Sequence, residues 1–148
     1  MQELKTKEAE MLEQLYKNVK MGSDSIVKLL PKVSDGKFKT DITDQLNGYE
    51  SLASKIKAHL KNMGVEAKEE NAMVKLWSNI GISVNAMMDS TDSHLAQMIS
   101  EGSNMGITDS IKLLREYENT NVSEAALKLV REVIEFEENN LERAKNYL

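Results

Sequence analysis

Apolar residues recur along this chain at alternating steps of three and four, the spacing that gathers side chains on one face of an α-helix. From about Glu3 to Leu30 the stripe is Leu12, Leu15, Val19, Gly22, Ile26 and Leu29. Pro31 lacks the N–H that a continuing helix needs, and Ser34-Asp35-Gly36 is turn chemistry, so a first helix ends there. A second is expected to start near Thr40 or Asp41, where small polar residues can cap free N–H groups. Its stripe is Ile42, Leu46, Tyr49, Ala53, Ile56, Leu60 and Met63, and Gly64 follows, the residue suited to a left-handed helix end.

Beyond a charged connection, a third helix is predicted up to about Asp89, with Met73, Leu76, Trp77, Ile80, Val84 and Met87 facing inward. Ser90-Thr91-Asp92-Ser93 is a run of four cap-forming residues that breaks it and starts another. The fourth segment carries Leu95, Met98, Ile99, Gly102, Met105, Ile111, Leu114 and Tyr117. Gly102 and Gly106 either cost it about 1 kcal/mol each relative to alanine or instead mark places where another helix approaches closely. Asn119-Thr120-Asn121 is a polar turn, and Asn121 with Glu124 three residues later reads as a capping box. The last helix carries Leu127, Val130, Ile134, Leu141, Ala144 and Leu148. No segment alternates with period two over a useful length. The expectation is a single all-α domain over residues 1–148: an antiparallel up-and-down four-helix bundle with one helix broken near residue 90 or 120.

Composition narrows the function classes. Lys and Arg number 19 against 24 Asp and Glu, for a net charge of −5. That balance argues against nucleic acid or an anionic membrane as partner, since either needs a basic face. Cysteine is absent, which excludes disulfides, thiol nucleophiles and thiolate metal sites. No apolar run reaches 18 residues and the Met1–Glu10 segment is charged, so no membrane span or secretory signal is expected and the cytoplasm is the expected location.

Candidate chemistry is sparse. His59 and His94 each fall one place off their stripes, and three residues back stand Ile56 and Thr91, so neither completes a Glu-x-x-His pair. Nucleophile elbow, phosphate loop and EF-hand are all missing, so no catalytic or cofactor-binding residue is assigned. The positive candidates are carboxylates on or beside the apolar stripes. Glu137 lies three residues after Ile134 and four before Leu141, which turns it inward. A buried carboxylate is neutral, paired or ligating a cation, unless it snorkels from an exposed end of the bundle. Glu50 beside Tyr49 and Glu101 before Gly102 flank the stripes, as solvated edge residues or as further metal ligands. Met63, Met73, Met87, Met98 and Met105 suit a pliable core.

The order of features resembles a bacterial ferritin-like, rubrerythrin-related domain family of unknown function, from about Leu12 to Leu148. The resemblance rests on the hairpin closing with Leu60-Lys61-Asn62-Met63-Gly64 and on Val74-Lys75-Leu76-Trp77-Ser78-Asn79-Ile80. It rests also on Ile99-Ser100-Glu101-Gly102-Ser103-Asn104 and on the Glu-rich last helix. It implies a ferritin-like four-helix core, often holding two iron or manganese ions on Glu and Glu-x-x-His ligands. The chain departs from that ligand pattern: Ala53 stands three residues after Glu50 where a histidine is expected, and Glu135 with Glu138 has no histidine. The resulting expectation is a non-enzymatic ferritin-like module with most di-metal ligands lost, acting through a homo-oligomer or a protein partner. The alternative is an iron- or manganese-binding protein whose site is built of Glu137, Glu50 and Glu101 alone.

Overall fold

The computed structural model describes residues 6–67 and 91–148. The described residues form four long helices and no strand: α1 Lys7–Leu29, α2 Gly36–Asn62, α3 Asp92–Tyr117 and α4 Glu124–Ala144. Short 3-10 turns follow α1 (Leu30–Lys32) and α4 (Lys145–Tyr147). The helix expected up to Asp89, with its Trp77 stripe, lies outside the described residues.

Every helix starts on a small polar cap that accepts a hydrogen bond from the N–H three residues on. Thr6 accepts from Ala9 at 3.1 Å, Asp35 from Phe38 at 2.8 Å, Thr91 from His94 at 3.2 Å and Ser123 from Ala126 at 3.1 Å. Such a cap contributes about 1 kcal/mol. Two starts differ from expectation. α2 begins at Gly36 rather than near Thr40, because Asp35 caps it and draws Phe38 into the core with no exposure. α4 is capped by Ser123 rather than Asn121, which stays in a turn held by Thr120 N–H to Tyr117 O and Val122 N–H to Thr120 O. The predicted helix end at Gly64 is present: its φ is +78°, and Val65 N–H reaches back to Leu60 O while Gly64 N–H reaches Lys61 O. These two bonds satisfy carbonyls that the helix end would otherwise orphan.

The four helices share one hydrophobic core. α1 packs on α2 and α3, and α4 packs on α3 and α2. The α1 stripe is buried as predicted except for half-buried Gly22, and so is most of the α2 stripe. In α3 Leu95 and Ile99 face inward as predicted, but the rest of the buried face is Ala96, Ser103, Ser110 and Leu113, while Met105 is 62% exposed. The stripe drawn through Gly102 and Met105 follows the apolar residues, but here the buried face is polar. In α4, Val133 takes an inward place, and Leu148, beyond the turn that follows α4, is exposed.

Polar contacts tie the helix ends. Near the start of α1, the Glu8 carboxylate accepts the Ser123 N–H at 2.5 Å and meets His59, late in α2, at 2.8 Å. At the other end of α1, Asp92 accepts the N–H groups of Ser34 at 2.8 Å and Asp35 at 2.7 Å. Early in α2, Asp41 pairs with Arg143 at 2.9 Å and accepts the Tyr147 hydroxyl. The Tyr147 ring stacks on Phe38, with ring centres 4.3 Å apart.

Candidate functional site

A cavity of about 320 Å³ opens between α1 and α3, with its far end formed by α2 and α4. That is the lower end of the usual size range of small-molecule pockets, roughly 300–1,000 Å³. Its apolar lining includes Val19, Ile26 and Leu29 from α1, Met98 and Ile99 from α3, and Val133 from α4. Its polar lining includes Tyr49, Ser103, Ser110 and Glu137.

Glu137 is the chemical centre of this arrangement. Its stripe position on α4 carries it inward, and it is only 3% exposed. Burial pushes its carboxyl up to about 7, against hydrogen bonds from Tyr49 and Ser103 that favour the ionised form. The Tyr49 phenol is raised well above its ordinary value, first by its own burial and then by the charge of Glu137, so it stays protonated. Asn140, also buried, lies beside the same phenol. The Tyr49 ring meets Phe136 edge-on at 4.8 Å, which fixes its direction.

Three glycines make room for these groups, Gly48 among them, where a Cβ would run into the Phe136 ring. A Cβ on Gly106 would stand 2.6 Å from Glu137 Oε2 and 3.0 Å from its carboxyl carbon. A Cβ on Gly22 would run into the Tyr49 ring, 2.6 Å from Cζ. The close approach expected at Gly106 is therefore real, with a carboxylate as the near neighbour. Gly102 differs: an added Cβ there meets nothing within 4 Å.

The other predicted carboxylates are placed differently. Glu101 lines the same cavity as Glu137, is exposed, and accepts from Gln97 at 3.2 Å. Glu50 does not line it: its side chain is 51% exposed, it accepts the Ser23 hydroxyl, and Lys20 lies 3.6 Å away. Asp109, not singled out from sequence, lines the cavity as well. Among the described residues, no group of three or more His, Cys, Asp or Glu side chains is arranged to hold a metal ion. This donor set does not fit a di-metal cluster, which wants about six ligands, histidine among them.

Ser103, Ser110 and Tyr49 are the site members that sequence reasoning did not assign. Ser103 and Ser110 share a face at a spacing of seven, with Gly106 between them, and both are buried. The Ser110 hydroxyl oxygen has no hydrogen-bond partner. A small polar residue repeated at helical spacing was the available signal. Among the described residues, no helix is long and apolar enough to cross a membrane. Comparison with known proteins assigns no family: no family model matches the chain, and no curated protein is significantly similar to it.

Proposed function

We propose that the protein is a non-enzymatic helical module of ferritin-like arrangement that works by binding a small molecule in its interior. The observation that carries this reading is the cavity itself, apolar along its walls and ending on a single buried carboxylate. Specific small-molecule sites combine a mostly apolar lining with a few placed polar groups. Glu137 is held by the Tyr49 phenol and the Ser103 hydroxyl.

The arrangement is supported by the contacts between helix ends. Glu8 with His59, and Asp41 with Arg143, favour antiparallel neighbours α1/α2 and α2/α4. Asp92 on the N–H groups of Ser34 and Asp35 sets the starts of α2 and α3 side by side. Side-by-side starts of two helices are a feature of ferritin-like bundles, which contain one long crossover connection.

A second reading, an iron or manganese ion held by carboxylates alone, is favoured by one observation: Glu101, Asp109 and Glu137 line the same cavity. Thermal melts of the metal-stripped protein separate the two. Anaerobic Fe(II) or Mn(II) forms one arm and 2-phenylethanol, a neutral ring-and-chain probe, the other. A ligand at 100 times its Kd adds about 2.7 kcal/mol, several degrees in midpoint. The binding-module reading predicts a shift with the organic probe that Gly102→Leu abolishes, since that side chain grows into free space on the cavity lining. A shift with metal alone, lost in Glu137→Ala, replaces this reading with the second.

A further inference from the structure

The residues around the cavity specify more than its size. At its polar end Glu137 is almost fully buried, and Ser110 is wholly buried with an unpartnered hydroxyl oxygen. Glu101 and Asp109 add two exposed carboxylates from the same helix as Ser110. None of the described residues lining the cavity is Lys, Arg or His. A molecule entering therefore meets oxygen acceptors set in apolar walls, and no positive charge.

Three classes of ligand fare differently here. An anion is repelled by three carboxylates and finds no counter-charge. A wholly apolar molecule leaves the Ser110 hydroxyl as it stands in the free protein, without a partner, and forgoes the gain of satisfying it. An ammonium head brings three donors and a positive charge, so it can meet both Glu137 and Ser110 while its carbon body lies on Ile26, Leu29 and Met98.

Building on the cavity as a binding site, we infer that its ligand is a small organic monoamine in its ammonium form, its head toward Glu137 and Ser110 and its apolar body between α1 and α3. The pairing also supplies an opposite charge, which no described residue lining the cavity brings to this buried carboxylate. Glu101 and Asp109, nearer to solvent, draw cations toward the cavity before they enter.

The test is calorimetric titration of the whole chain at about pH 8, where an unperturbed carboxyl is ionised and a simple amine still protonated. The probes are 2-phenylethylamine, 2-phenylethanol and 3-phenylpropanoate, which share a ring and a short chain and differ in the head group. The amine is expected to bind at least about tenfold more tightly than the alcohol, with the acid weakest. Glu137→Gln keeps the side chain's size and should erase the amine's advantage over the alcohol. Ser110→Ala should weaken the amine several-fold. Equal binding of amine and alcohol, or an amine preference that survives Glu137→Gln, overturns the inference while the binding-module reading stands. If none of the three probes binds, both fall.

Discussion

The carboxylate of Glu137 on α4 occupies the space that a side chain at Gly106 on α3 would need: a Cβ there would stand 2.6 Å from Oε2. Helix propensity alone favours alanine over glycine at position 106 by about 1 kcal/mol. The contact reverses that sign. Gly106→Ala is expected to destabilise by about 1–3 kcal/mol, the usual range for overpacking. In a Glu137→Ala background the same substitution should become stabilising by about 1 kcal/mol. Urea titrations of the four proteins in this cycle give both numbers, and additivity would show that the two residues do not touch.

The burial of Glu137 makes stability depend on pH. Its folded value of about 7 lies above the ordinary 4.5, so the folded state holds its proton over an interval where the unfolded chain has released it. The stability tied to this group is complete below pH 4.5 and is lost as pH rises through 7. The loss is on the order of 3 kcal/mol, at about 1.4 kcal/mol per unit. Glu137→Gln removes it. Chemical denaturation at a series of pH values should show the variant and the native protein alike near pH 4.5, then diverging until about pH 8 with the variant more stable.

Glu8 has the opposite sign. Burial works to raise its carboxyl, but the Ser123 N–H and His59 outweigh it and hold the group below its ordinary value. Its contribution is present above pH 4.5 and is lost as pH falls through the folded value. Glu8→Gln should cost about 1–2 kcal/mol at pH 7, as expected for a bond to a charged acceptor, and the difference should shrink in acid. Comparing the variant's unfolding midpoint at pH 7 and pH 3 checks this.

Asp92 should behave as a fastener between the start of α3 and the turn before α2. Its carboxylate accepts the two N–H groups of Ser34 and Asp35. Asp92→Ala is expected to cost about 1 kcal/mol and to speed amide exchange at those two positions.

Much of the fold was legible in the sequence because the periodicity of an amphipathic helix survives any tertiary context. The stripe Leu12, Leu15, Val19, Ile26 and Leu29 is buried as drawn, and Gly64 ends α2 in the left-handed conformation. The inward turn of Glu137 was legible for the same reason. The starts of α2 and α4 were not, since Asp35 and Ser123 compete with other good caps nearby and only the turn geometry chooses between them. The inward face of α3 was hidden by its polarity. Ser103 is buried beside Glu137 and Tyr49, which give it polar company, and Ser110 is buried with its hydroxyl unpartnered; no pattern of apolar residues reveals such a face. Glu101 and Glu137 share a cavity while Glu50 stays on the surface near Lys20, a sorting that depends on how α2 is rotated against α1.

The account stands on one buried carboxylate at the polar end of an apolar cavity. The most direct measurement is a carbon-13 NMR titration of the Glu137 side-chain carboxyl in the free protein. The predicted midpoint is about 7, well separated from the other glutamates. A midpoint at the ordinary 4.5 would mean that burial does not dominate at Glu137 and would contradict the account.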